Sequence, residues 1–199
     1  MRRFSPRVLL AAASAALAAV LLIAGGLALW GSAYVHNTVR NQLAAQQIFF
    51  PPASAFAHAK AGAEIAPSMI PSVSQYAGQQ MLTGQQAEAY ADHFIAVHIQ
   101  EMGAGKTYSQ LSAESLAQPA NTALATTVGT VFKGETLRSM LLNAYGWWKV
   151  SQITYIASIA AFVLAGLTLA GSAFGLASSR KTRPAAVIAH ESITPATAS

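Results

Sequence analysis

The sequence predicts an all-α membrane protein: two transmembrane helices extended as stalks, with a small helical extracytoplasmic domain between them. Three observations lead there. Residues 8–30 and 153–176 carry no charge, and at about 1.5 Å per helical residue each run is long enough to cross a hydrocarbon layer roughly 30 Å thick. Charged residues make up only 10% of the chain and hydrophobic ones 53%, against about 25% charged in soluble domains. Apolar residues between the two runs recur at helical spacing.

The formal charge of +5 sits at the chain's two ends. Arg2, Arg3 and Arg7 precede the first run; Arg180, Lys181 and Arg183 follow the second, and these six less Glu191 account for all of it. Basic residues flanking spans mark the cytoplasmic side. The expected placement is therefore the plasma (inner) membrane with both termini inside. No basic face remains for nucleic acid once the ends are assigned. The chain has no cysteine, which excludes disulfides, iron–sulfur clusters and thiolate metal sites.

Five segments follow. Residues 1–7 are a basic cytoplasmic leader. Residues 8–32 are the first transmembrane helix, read as an uncleaved signal anchor because its apolar run exceeds the roughly 7–15 residues of a signal peptide. Gly31-Ser32-Ala33 offers only a weak cleavage site. Residues 33–150 form the extracytoplasmic domain, 151–178 the second transmembrane helix, and 179–199 an Ala-, Ser-, Thr- and Pro-rich tail expected to be disordered. Trp30, Tyr34, Trp147, Trp148 and Tyr155 would form the outer interfacial belt, since aromatic rings can bury a body and wet a polar edge there.

Within the loop, 35–50 lacks Gly and Pro and repeats Val35, Val39 and Leu43 every fourth residue, which predicts a helical stalk ended by Pro51-Pro52. Residues 53–81 read as loop with a helical turn or two. Thr83 and Gln86 fit a capping box, opening a helix to Met102 whose apolar face holds Ala87, Tyr90, Ala91, Phe94, Ile95, His98 and Met102. A short helix is expected over 109–116, before Pro119. Residues 122–132 leave helix and strand open. From Gly134, Leu137, Leu141 and Tyr145 share a face, with Met140 and Trp148 beside it, which predicts the second stalk.

Few motifs carry chemistry. Gly103-Ala-Gly105-Lys106-Thr107 resembles the end of a phosphate-binding loop, but Gln100 stands where that motif needs glycine, so a helix C-cap is the reading. His93 and His98 diverge by about 140° on a helix, the wrong geometry for shared metal ligation. Glu88 and Asp92 read as a solvated face. Neither a metal nor a cofactor is expected. Gly171 and Gly175, one GxxxG unit, would let another helix approach closely. No ionisable residue lies inside either span, which argues against a self-contained transporter.

The segments IFFPP, LTGQQAEAYADHFIAVHI and VFKGETLRSMLLNAYGWW resemble small two-span envelope proteins of high-GC actinobacteria. The resemblance implies the two-span layout and brings no activity, cofactor or site residue with it. The expected role is a non-enzymatic accessory or scaffold protein. Besides the lipid bilayer it would bind another envelope component, either a membrane or envelope protein or a second copy. The alternative is a ligand sensor with Tyr90, His98 and Glu101 as pocket residues.

Overall fold

Three helices start on side-chain caps. The Thr83 hydroxyl accepts from the Gln86 backbone N–H at 3.2 Å while the Gln86 side-chain oxygen accepts from the Thr83 N–H at 3.0 Å. Thr107 and Gln110 repeat this box, and the Asn121 side chain accepts from the Leu124 N–H at 3.0 Å. Each cap satisfies donors that a helix start leaves unpaired. The computed structural model describes residues 6–181, so most of the expected leader and the tail beyond 181 lie outside the described residues.

The fold is all-helical. Helix α1 (Pro6–Ala45) is followed by α2 (Ala53–Ala57), a 3-10 turn (Pro67–Met69), α3 (Ile70–Val73) and a second 3-10 turn (Ser74–Tyr76). Then come α4 (Gly84–Tyr90), a π-helical turn (Ala91–Ile95), α5 (Ala96–Met102), α6 (Tyr108–Ala117) and α7 (Thr122–Lys181). Among the described residues there is no strand, only an isolated bridge between Phe49 and Gln80. Two helical stretches, Leu9–Ala45 and Thr122–Ala177, are long and apolar enough to cross a membrane. Residues 122–132, open between helix and strand in the sequence, are helix.

The chain divides into two compact units: Ala28–Ile156, and Met1–Leu27 with Ala157–Ser199. In the first, α1 stops at Ala45, short of the predicted end before Pro51-Pro52. Gln47 takes a left-handed conformation (φ 52), which turns the chain so that Ile48–Phe50 can bond back to 79–81. The Phe50 N–H donates to the Gln79 carbonyl and the Met81 N–H to the Ile48 carbonyl, both at 2.9 Å. The Gln80 side-chain amide caps the α1 end by donating to the Ala44 carbonyl at 3.0 Å. The segment 53–81 is core as well as connection: Met69, Val73 and Met81 are fully buried.

Helices α4 and α5 run antiparallel to α7. A Cβ on Gly84 would lie 2.3 Å from Trp148 Cβ, and one on Gly134 would lie 2.8 Å from Ile99 Cγ1. Only glycine allows the backbones this close. Between them, Ala87, Ala91, Ile95 and Ile99 are buried at fourfold spacing. In a regular α-helix that line drifts by about 40° per step; the π-helical turn's extra residue absorbs the drift. This revises the predicted face: Ile99 is buried and Met102 exposed, while Tyr90, Phe94 and His98 are half-buried.

In the second unit, the inward positions of α1 are Ala11, Ser14, Ala18, Leu21 and Gly25, at alternating spacings of three and four. That spacing is the seam of a left-handed helix pair. Ala18 and Ala165 are buried, and a Cβ on Gly25 would lie 3.1 Å from the Phe162 ring. The close approach thus falls at Gly25. A Cβ on Gly171 or Gly175 would meet open space, because these residues line a groove of about 370 Å³ with Leu10, Ser14 and Thr168. Helix α7 continues through 179–181, positions expected to begin the tail.

Two glycine substitutions within Ala28–Ile156 should move stability in opposite directions. Gly84→Ala forces α4 away from Trp148 and is expected to cost about 1–3 kcal/mol. Gly129→Ala, where a Cβ meets open space, is expected to gain up to about 1 kcal/mol through helix propensity. Thermal unfolding followed by tryptophan fluorescence checks both.

Candidate functional site

Tyr90, His98 and Glu101 do not converge. Tyr90 lies edge-on to Phe50 with ring centroids 5.4 Å apart and stacks on Phe94 at 4.6 Å, and Phe94 meets His98 at another 4.6 Å. The result is a row of rings along one helix side. The His98 Nδ1–H donates to the Phe94 carbonyl at 2.8 Å, the ordinary way to satisfy a half-buried imidazole. Glu101 is exposed, and its backbone carbonyl accepts from the Ala104 N–H. Burial pushes the Tyr90 phenol above its usual 10.0, and the Glu64 carboxylate pushes it the same way.

The remaining motif residues serve the fold. Gly103 closes α5, Lys106 pairs with Glu114 at 2.7 Å, and Thr107 caps α6. Asp92, read as solvated, pairs with Arg138 of α7 at 2.8 Å. Among the described residues, no group of three His, Asp or Glu side chains is placed to hold a metal ion.

The aromatic residues divide. Trp30 and Tyr34 are exposed and stacked at 5.8 Å, and Trp147 and Tyr155 are exposed too. Trp148 departs from the expected belt. It is 5% exposed, with the His36 ring at 3.9 Å and Gly84 against its Cβ. Adjacent residues point about 100° apart on a helix, so Trp147 faces out where Trp148 faces in.

Beside Trp148 the structure opens a cavity that no motif announces. It measures about 570 Å³ and is lined by Leu29, Ser32, Ala33, His36, Asn37, Ser151, Gln152, Tyr155 and Ile156. Two buried serines hold its walls together. The Ser32 hydroxyl donates to the Ser151 carbonyl at 2.7 Å, and the Ser151 hydroxyl donates to the Trp148 carbonyl at 2.7 Å. No Lys, Arg, Asp or Glu lines it. Asn37 and Gln152 make no side-chain hydrogen bond among the described residues, so their amides remain open to whatever occupies the space. The size falls within the roughly 300–1,000 Å³ of small-molecule sites. The only signal in the sequence is the polar residues Ser32, His36 and Asn37 just past one apolar run, with Ser151 and Gln152 just before the other.

The Tyr90 environment sets a testable alkaline limb. A phenol pKa raised in the folded state contributes stability that is intact below about 10 and is lost as pH rises through the folded value. Urea unfolding between neutral pH and the alkaline range should show this loss, and Tyr90→Phe should flatten it. In ultraviolet titration, the same variant should remove a late-ionising phenol.

No protein-family model matches the chain, nor does any curated protein or solved structure match it.

Proposed function

We propose that this chain is a non-enzymatic accessory protein of the cell envelope. Residues 8–32 and 151–178 anchor it in the plasma membrane, and residues 33–150 lie on the extracytoplasmic side and bind another envelope component. The observation that carries the reading is the outward face of the two-helix unit. Leu10, Ile23, Leu27, Val163, Leu167 and Phe174 all stand exposed, with no charged residue between Arg7 and Arg40 or between Lys149 and Arg180. Water-soluble proteins rarely expose a continuous apolar surface of this kind; in lipid it is the ordinary solvent-facing side.

Length supports the anchor as well. A span uses about 20 residues, whereas α1 has 40 and α7 has 60, so several turns of each stand outside the hydrocarbon. The basic flanks at both chain ends keep the termini on the cytoplasmic side. A partner surface is offered by Leu137, Met140, Trp147 and Val150, exposed on one side of α7 at spacings of three, seven and three. That stripe suits a helix from an envelope protein or a second copy. The ligand-binding reading draws its support from the cavity beside Trp148, and not from Tyr90, His98 and Glu101.

Two experiments test this. Because the chain has no cysteine, single-cysteine labelling has no background. Ala113→Cys should react with a membrane-impermeant maleimide on intact cells, and Ser192→Cys only after permeabilisation; the reverse pattern overturns the orientation. Light scattering of the protein purified in mild detergent at native expression should give a complex heavier than the monomer. Met140→Glu should reduce it to a monomer with unchanged helicity. A monomer from the unaltered chain overturns the partner reading.

A further inference from the structure

The cavity beside Trp148 has a polarity that runs along the helices. On α1 the lining passes from Leu29 through Ser32 and Ala33 to His36 and Asn37; on α7 it passes from Ile156 and Tyr155 to Gln152 and Ser151. The two helices are antiparallel here, since Ser32 bonds to Ser151 and His36 meets Trp148. Both gradients therefore point the same way, with Leu29 and Ile156 at one end, the Tyr155 phenol beside them, and His36, Asn37 and Gln152 at the other. We infer that this cavity binds a neutral lipid with a hydroxyl-bearing glycerol head. The head lies against His36, Asn37 and Gln152, and the chain lies along Leu29 and Ile156.

Three features select that occupant. The lining contains no Lys or Arg, so it offers a phosphate head no counter-charge or bidentate donor, whereas a neutral head needs neither. The Asn37 and Gln152 amides each offer a donor and an acceptor, which matches a hydroxyl group that both donates and accepts. The Ser32 and Ser151 hydroxyls already donate inside the wall, which leaves His36, Asn37 and Gln152 as the groups that read the head. The walls are set before binding, so little ordering is charged against affinity.

The inference rests on the membrane placement proposed above, and the test separates the two. The full chain carrying Trp30→Phe and Trp147→Phe keeps Trp148 as its one indole, in contact with the cavity residue His36. It is placed in phosphatidylcholine nanodiscs and titrated with a monoacylglycerol brominated on the chain carbons nearest the head, the end that the pose sets beside His36 and Trp148. Saturable quenching of Trp148 is expected. Gln152→Leu should raise the half-saturating mole fraction about tenfold, the scale of one lost hydrogen bond. Ala33→Phe, at an exposed position, should fill the cavity and abolish saturation with helicity unchanged. Brominated phosphatidylglycerol should give only unsaturable, collisional quenching. The cavity assignment is overturned by non-saturating acylglycerol quenching, by an equal curve with phosphatidylglycerol, or by curves that neither variant shifts. A chain that fails to enter the nanodisc overturns the membrane placement itself.

Discussion

Trp148 is where α1, α4 and α7 are forced into register. Its indole is buried with the His36 ring of α1 at 3.9 Å and the bare Cα of Gly84 against its Cβ. Burying a tryptophan is among the larger single contributions available to a fold; truncating one in a core costs about 3–5 kcal/mol. Here its value extends to position. With Gly84 seated on Trp148, the antiparallel course of α4 and α5 brings Asp92 to Arg138 and Ile99 to Gly134. With His36 seated on it from the other side, Ser32 reaches the Ser151 carbonyl.

The same contact explains why so large a residue leaves its indole N–H without a partner. A buried unpaired donor costs about 1–3 kcal/mol, so the packing must exceed that cost. The His36 ring and the close approach at Gly84 are what supply it. The ring row Phe50–Tyr90–Phe94–His98 extends the aromatic interior along α4 and α5, away from the cavity.

What could be read from the sequence divides along physical lines. The Thr83–Gln86 box and the two long uncharged runs are local signals, and both reappear as helices at those positions. Local rules failed where a distant contact decides. Gln47 turns left-handed to let Ile48–Phe50 bond to 79–81, so the prolines at 51 and 52 do not end α1. Met69, Val73 and Met81 lie in a 3-10 turn, the four-residue α3 and a loop, all too brief for periodicity, and so three fully buried side chains sat in a segment read as loop. Counting 100° per residue through 84–102 missed Ile99 because a π-helical turn lies on the way. Gly171 and Gly175 matched a packing motif, yet between the two apolar runs the glycine that meets a neighbour is Gly25. The cavity was least legible, since its two walls are more than a hundred residues apart in the chain and only their pairing brings Ser32 beside Ser151.

Polar side chains next to long apolar helices have two fates, and both occur in this cavity. Ser32 and Ser151 are buried, and each hydroxyl donates to a backbone carbonyl, so neither needs anything from outside. Asn37, which is exposed, and Gln152, which is half-buried, line the cavity without a side-chain hydrogen bond among the described residues. An amide moved into an apolar medium without a hydrogen bond costs several kcal/mol on hydrocarbon scales and about 1–3 in proteins. Next to membrane-length helices, that cost is removed by water or by the head of a lipid. Water meets the amides alone; an amphiphile also covers Leu29 and Ile156. The paired polarity of the two walls therefore favours the amphiphile over water alone.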